Sequence, residues 1–152
     1  MPLNFKTSII ISDTSCLIAL SNINLLEILN KLYEVILITP EVASEYGESL
    51  PEWITVKAVN DTGKLKAFNR FIDLGESSAI ALALETEDAV LIVDDKEARI
   101  FASNLGLRIT GTLGILIRAY NKGIITDLSE AISQLRKTGF HLPSNINDLL
   151  IT

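Results

Sequence analysis

The chain has 152 residues, 48% of them hydrophobic, and a formal net charge of −6. This length and composition are typical of one compact domain, and the acidic balance disfavours a protein held on nucleic acid by bulk charge alone. The single cysteine, Cys16, excludes an internal disulfide and suits a reducing compartment, and every apolar run is too short to span a bilayer. We therefore predict a single domain over residues 1–152, located in the cytoplasm and not in a membrane.

Short apolar runs that predict buried strands alternate with segments of helical spacing along the whole chain. This alternation is typical of repeated βα units around a parallel sheet, so the sequence predicts an α/β fold. In chain order the predicted elements are strand 8–12, helices 15–20 and 23–32, strand 35–38, helix 41–46, an extended piece within 51–60, helices 64–72 and 76–85, strand 89–93, helix 96–105, strand 107–109, helices 113–122 and 128–137, and one more turn in the tail 140–152.

Local signals mark three of the predicted helix ends. Thr39 and Pro40 suit the N-cap and first position of helix 41–46. Gly123 suits the C-terminal end of helix 113–122. Thr126 is predicted to cap the last helix.

Two predicted strands run directly into carboxylates. Asp13 follows three isoleucines, and Asp94 with Asp95 follows the run "AVLIV". The carboxyl ends of parallel strands share one edge of the sheet, and ligands of open α/β sheets bind there. Glu76 lies on the apolar stripe of its predicted helix, and Glu45 lies at the border of another apolar face. We therefore expect these acids to meet at one edge.

Each of these acids also has a purely structural interpretation. Asp13 could simply cap the next helix, although the Asp94–Asp95 pair exceeds what one cap needs. Glu76 near a helix N-terminus is favoured by the helix dipole whatever its function. Glu41 or Glu48 could take the place of Glu45, since the three lie on or beside the same short helix.

Several carboxylates at one edge would repel each other, and a divalent cation removes that conflict. Oxygen ligands select Mg²⁺ or Mn²⁺, whereas zinc prefers His and Cys, of which the chain has only His141 and Cys16. An acidic site of this kind serves phosphoryl chemistry, in which a metal-activated water attacks phosphorus. The sequence has no phosphate-binding GxxxxGK[ST] loop and no GxSxG motif that would indicate another chemistry.

Five stretches between residue 9 and about residue 125 follow in a characteristic order: "IISDTSCLIAL", "ITPEVASEYGE", "LGESSAIALALE", "LIVDDKEARIFASNLGL" and "ITGTLGILIRAYNKGII". The first four of them carry these acids. The combination of "GESSAIALA", "DDKEAR" and "GTLGIL" is specific. In these motifs the chain resembles the PIN-domain family, in the bacterial and archaeal branch related to VapC-type toxins. The ending "LRKTGFHLPSNINDLL" is also similar to that branch.

The resemblance implies a three-layer α/β/α fold with a central parallel sheet. It also implies an endoribonuclease that uses Mg²⁺ or Mn²⁺ to hydrolyse phosphodiesters. Carried over residue by residue, the catalytic and metal-binding acids are Asp13, Glu45, Glu76 and Asp95, with Asp94 as an added ligand. Glu76 departs from the aspartate that many PIN nucleases have at this position.

The resemblance also implies that Thr112, at the start of the "GTLGIL" helix, faces the site and contacts the substrate. By position alone, Lys96, Arg99 and Arg108 are predicted to follow the RNA backbone. VapC-like toxins pair with a small antitoxin that occludes the acids, so RNA and an antitoxin are the expected partners. A homodimer through Trp53 or the C-terminal helices is a further expectation.

Two other readings of the same pattern compete with the nuclease. One is a PIN-like module that has lost cleavage and only binds a partner protein or RNA. The other is a phosphoacceptor receiver domain, which is disfavoured because its acid pair should follow the first strand and not a late one.

Overall fold

The computed structural model describes residues 7–142, and within that range the chain forms five strands and eight helices. None of these helices is both long and apolar enough to cross a membrane. In chain order the elements are β1 (Thr7–Ser12), α1 (Thr14–Asn22), α2 (Glu27–Leu32), β2 (Tyr33–Ile38), α3 (Pro40–Tyr46), β3 (Ile54–Val56), α4 (Thr62–Phe68), α5 (Leu74–Leu84), β4 (Ala89–Ile92), α6 (Lys96–Asn104), β5 (Arg108–Thr110), α7 (Thr112–Asn121) and α8 (Leu128–Lys137).

The five strands form one parallel sheet in the order β3-β2-β1-β4-β5. β1 is central, and its isoleucines Ile10 and Ile11 are both fully buried on opposite faces. Ser12 at the end of β1 is in register with Ile92 at the end of β4. The residues that follow these two strands are therefore neighbours at the carboxyl edge of the sheet.

Helices cover both faces of the sheet, which confirms the predicted three-layer α/β/α fold. On one face, Ile10 and Ile92 pack with residues of α1, α2, α3, α7 and α8. On the other face, Ile11 and Leu91 pack with residues of α4, α5 and α6. The carboxyl-terminal residues of β1 and β4 are buried on both faces, because two helical layers cover the sheet there.

The structure corrects three predicted helix boundaries. The helix predicted from residue 23 begins only at Glu27, because Asn24 adopts a left-handed conformation (φ 59°) that interrupts a helix. The helix predicted to reach residue 72 ends at Phe68. The cap of α8 is Asp127 and not Thr126, because the Asp127 carboxylate accepts the Glu130 N–H at 2.9 Å.

Other predicted ends are confirmed. Thr39 caps α3 by accepting the Val42 N–H at 3.1 Å, with Pro40 at the first helical position. Gly123 follows α7 with a positive φ of 76°, which glycine adopts without strain. The turn predicted within 140–152 lies largely outside the described residues.

Candidate active site

Asp13 occupies the carboxyl end of the central strand and is only 1% exposed. Its Oδ1 accepts the Cys16 N–H at 2.9 Å, which caps α1. Its Oδ2 accepts the Asp94 N–H at 3.2 Å, and its own N–H donates to the Ile92 carbonyl at 3.1 Å. The structural reading of Asp13 as a cap is therefore right, and the same carboxylate is also fastened to the end of β4.

Asp94 joins the end of β4 to the N-terminus of α7. Its Oδ1 accepts the Thr112 N–H at 2.8 Å, and its Oδ2 accepts the Thr112 hydroxyl at 2.6 Å. The N-cap of α7, Gly111, has no side chain, so Asp94 satisfies a helix N–H that would otherwise be unpaired. A Cβ at Gly111 would lie 2.9 Å from Asp94 Oδ1, so only glycine allows this approach.

Thr112 does not have the environment predicted for a substrate contact. It is fully buried, and both its backbone N–H and its hydroxyl donate to Asp94. Since these two donors are already used, the structure makes Thr112 a residue that positions Asp94. The structure places Thr112 against Asp94, and its membership of a functional site stays a prediction.

The adjacent acids Asp94 and Asp95 face different neighbours. Asp95 is exposed and caps α6, accepting the Ala98 N–H at 3.0 Å. The charge of Asp95 raises the pKa of Glu76, whereas the charge of Asp94 raises the pKa of Asp13. The structure therefore brings both acids to the site, with Asp94 and not Asp95 as the immediate neighbour of Asp13.

Glu76 lies in the first turn of α5, beside an acid that the sequence analysis did not select. Asp73 caps α5 by accepting the Glu76 N–H at 2.9 Å. Burial, followed by the charge of Asp73 and a side-chain hydrogen bond with it, raises the pKa of Glu76 to about 8. Smaller contributions to this value come from the charges of Asp95 and Asp13, so all three aspartates lie within electrostatic reach of Glu76.

Asp13, which follows the central strand, has a strongly raised pKa. Burial, followed by the charge of Asp94 and to a smaller extent that of Asp73, raises its pKa to about 8 against the lowering effect of its two N–H bonds. Burial also raises the pKa of Asp94, partly offset by the hydrogen bonds from Thr112 and the charge of Arg99. We refer to Asp13, Asp73, Glu76, Asp94 and Asp95 together as the acidic cluster.

Glu45 approaches the acidic cluster through the residue that follows Asp13. The Thr14 hydroxyl donates to Glu45 Oε1 at 2.6 Å. A Cβ at Gly75 would overlap the same Glu45 oxygen, so the carboxylate lies against the N-terminal turn of α5, directly beside Glu76 in the chain. Glu45 thus reaches the edge where the other predicted acids lie.

The two alternatives to Glu45 have other environments. Glu48 lines a separate cavity of about 520 Å³ with Ile18 and Tyr46. Glu41 buries its Oε1 without a hydrogen-bond partner among residues 7–142. Of the three glutamates, Glu45 is the one whose carboxylate accepts a hydrogen bond from Thr14, the residue beside Asp13.

The predicted positive side chains separate into two groups. Lys96 and Arg99 line a cavity of about 680 Å³ that also includes Asp94, so they adjoin the acidic cluster. Arg99 is held there by a hydrogen bond from its Nη1 to the Val93 carbonyl at 2.8 Å. Arg108 begins β5, two residues before the carboxyl end of that strand, and is not among the residues that line this cavity.

The acidic cluster suits a hard divalent cation by the chemistry of its donors. Its side chains offer only carboxylate oxygens, and burial raises the pKa of Asp13, Glu76 and Asp94. At Asp13 and Glu76 the charges of neighbouring carboxylates raise the pKa as well. A cation would offset this repulsion. In the part of the chain that the structure describes, no three His, Cys, Asp or Glu side chains are already arranged closely enough to hold a metal, so binding requires side-chain adjustment.

A family model described as a PIN domain matches residues 9–151. The chain therefore belongs to the PIN-domain family, as its motifs and the order of its acids predict, and its parallel α/β/α architecture is of that type. PIN domains are in general nucleases that use divalent metals. The chain matches none of the curated proteins.

Proposed function

We propose that this PIN domain is a divalent-metal-dependent endoribonuclease and the toxin of a VapC-like toxin–antitoxin pair. The observation that supports the nuclease most is the placement of Asp13. It is a buried acid at the carboxyl edge of the sheet, bonded to the backbone of Asp94 and surrounded by further carboxylates. Carboxylates whose pKa values are raised by burial and by a specific charged neighbour are typical of functional sites.

The acids of the cluster, together with Glu45, would hold Mg²⁺ or Mn²⁺. When bound, such an ion lowers the pKa of a water molecule and stabilises charge on the phosphodiester. The chain's contribution is orientation: α1 and β4 fix the carboxylate of Asp13, and Thr112 fixes that of Asp94. Lys96 and Arg99 supply positive charge beside the cluster for the phosphates that flank the cleaved bond.

The proposed partners follow from the same charges. An antitoxin that brings a basic side chain to the acidic cluster would neutralise its repulsion and exclude RNA. We also propose that the chain forms a homodimer. Trp53 packs partly against the core, so it offers a dimer interface less exposed surface than expected from the sequence. Because Lys96 and Arg99 would contact the phosphates, RNA binding should weaken with added salt.

The proposal is tested by incubating the full chain with a mixed single-stranded RNA pool, with Mn²⁺ and with EDTA. We expect internal cleavage only with Mn²⁺. A binding module without activity would leave the RNA intact under both conditions, and thermal unfolding with and without millimolar Mn²⁺ would show whether it still takes up the ion.

Gly75→Ala tests the position of Glu45. The new methyl group would occupy the place of Glu45 Oε1, and the flexible glutamate should move away at little cost in stability. We expect cleavage to fall about 10- to 100-fold, as for displaced groups that orient a metal site. The matched control is Gly63→Ala in α4, where the added Cβ meets its nearest neighbour at an ordinary 3.4 Å. If Gly75→Ala cleaved RNA as fast as Gly63→Ala, Glu45 would have no part in the site.

Thr112→Val tests the positioning of Asp94 with nearly the same side-chain volume. Loss of the hydroxyl leaves Asp94 Oδ2 without its 2.6 Å partner, so we expect stability to fall by about 1 to 3 kcal/mol and cleavage by about 10- to 100-fold. Thr86→Val is the control, because it removes a hydroxyl bond to the Leu82 carbonyl at the far end of α5. If both variants cleave like the wild type, Thr112 has no role beyond packing.

A further inference from the structure

A cavity of about 680 Å³ opens directly beside the acidic cluster, and its apolar and ring-bearing walls have no role in the metal chemistry proposed above. Its size falls in the range of small-molecule and cofactor sites, about 300 to 1,000 Å³. Asp94 belongs both to the cavity wall and to the cluster, so the two are continuous. A molecule bound at the acids would therefore lie next to the cavity.

The walls of this cavity combine apolar, aromatic and cationic side chains. Ile100, Ile109 and Ile117 provide the apolar part, and Phe140 and His141 add two rings. The cations are Lys96 and Arg99, which follow the Asp94–Asp95 pair in the chain. In a protein with a net charge of −6, such a local excess of positive charge next to carboxylates is a specific feature of this surface.

We propose that this cavity is a subsite for one unstacked base of a single-stranded RNA, one or two nucleotides from the cleaved phosphate. The inference rests on the proposed nuclease and adds to it the place where a base next to the cleaved phosphate is held. Proteins that recognise single-stranded RNA stack extruded bases on aromatic side chains and neutralise the neighbouring phosphates with Lys or Arg. The cavity has both elements, and the base would enter with its phosphate lying toward Lys96 and Arg99.

The charge pattern favours a nucleotide over a protein segment as the occupant. A nucleotide has an apolar, stackable base and an anionic phosphate, which match the isoleucine and ring walls and the two cations. The fixed Arg99 contributes a preformed charge, because its Nη1 is held by the Val93 carbonyl at 2.8 Å. Ile100 lines the cavity and is 53% exposed, so a base can contact its side chain while α6 stays folded.

The test separates binding from cleavage by using the full chain with Asp13→Asn, which should bind RNA without cutting it. Fluorescence anisotropy measures the affinity of the Asp13→Asn chain for rA, rU and rC oligonucleotides of twelve nucleotides. The same measurement is made with oligonucleotides of equal length that carry one or more abasic positions. Ile100→Glu places a negative charge in the cavity, and Phe140→Ala removes a ring. Ile18→Glu is the matched control, since Ile18 is 42% exposed on α1 and lies outside this cavity.

We expect at least one intact oligonucleotide to bind about tenfold more tightly than its abasic counterpart. Ile100→Glu and Phe140→Ala should abolish this difference, and Ile18→Glu should preserve it. If abasic and intact RNAs bind equally, or if Ile100→Glu retains the full difference, the base subsite is wrong and a protein segment becomes the better occupant. Base-dependent binding without any Mn²⁺-dependent cleavage by the wild type would instead refute the nuclease and leave the subsite standing.

Discussion

Asp13→Asn is expected to lower Mn²⁺-dependent RNA cleavage by about 10³-fold, the largest effect of any single substitution in this chain. A charged ligand that holds a catalytic ion supplies several kcal/mol of transition-state stabilisation, and each 1.36 kcal/mol corresponds to a tenfold change in rate. Asparagine keeps one oxygen that can accept the Cys16 N–H, so α1 remains capped. The measurement is single-turnover cleavage of a defined RNA at saturating Mn²⁺.

The matched control for this substitution is Asp127→Asn. Asp127 also caps a helix with one carboxylate oxygen, accepting the Glu130 N–H at 2.9 Å, but it belongs to α8 and not to the acidic cluster. It should cleave RNA at the wild-type rate. Wild-type cleavage by Asp13→Asn would show that the reaction, if present, does not depend on the central acid.

The second large effect concerns stability and pH. The pKa of Asp13 is raised from its ordinary value of 3.8 to about 8 in the folded chain, first by burial and then by the charge of Asp94. Between these two values the folded state binds more protons than the unfolded state, so the metal-free protein should lose stability as pH rises from about 4 to 8. The raised pKa of Glu76 acts in the same direction.

This prediction is measured by thermal or urea unfolding in EDTA at several pH values. At pH 8, Asp13→Asn should be more stable than the wild type by about 1 to 3 kcal/mol, because it removes an uncompensated buried charge. At pH 4 the advantage should vanish, since the wild-type carboxyl is then protonated. Millimolar Mn²⁺ should stabilise the wild type more at pH 8 than at pH 5, because protons compete for the same oxygens. A metal-free stability that is flat over this range would contradict the raised pKa values.

The positions of the predicted site acids could be derived from the sequence because strand ends are strong signals. The isoleucine run before Asp13 and the apolar run before Asp94 predict buried strands, and parallel pairing forces their ends to one edge. For Glu45 the apolar face of its helix was a weak signal, and the motif resemblance selected it over Glu41 and Glu48. Its contact with Thr14 joins residues 31 positions apart, which periodicity cannot reveal.

Asp73 was missed because helix α5 was predicted to start at Glu76 and in fact starts at Leu74. The sequence did contain a signal: Asp73 and Glu76 stand three residues apart before an apolar run, as in a capping box. The same pattern, Asp127 followed by Glu130, identifies the true cap of α8 in place of Thr126. At α8 the neighbouring Thr126 was predicted as the cap in place of Asp127. At α5 the apolar stripe begins late, so the helix start was predicted after Asp73.

The ranking of Asp94 and Asp95 depends on tertiary contacts that the sequence does not encode locally. Asp94 is oriented by Thr112, eighteen residues later, and by the register between β1 and β4. Asp95 is oriented by its own helix. Two adjacent acids after a strand point to different neighbours, and only the packing of α7 decides which of them lies against Asp13.

Anomalous diffraction from crystals of the full chain soaked in Mn²⁺ measures the central claim most directly, namely that the acids at the carboxyl edge bind a divalent ion. The account predicts a manganese peak within bonding distance of an Asp13 oxygen and of at least one further acid of the acidic cluster. The peak should be absent in crystals of Asp13→Asn. Crystals at pH 8 and millimolar Mn²⁺ without any peak at Asp13, or with the ion only at remote acids, would contradict it.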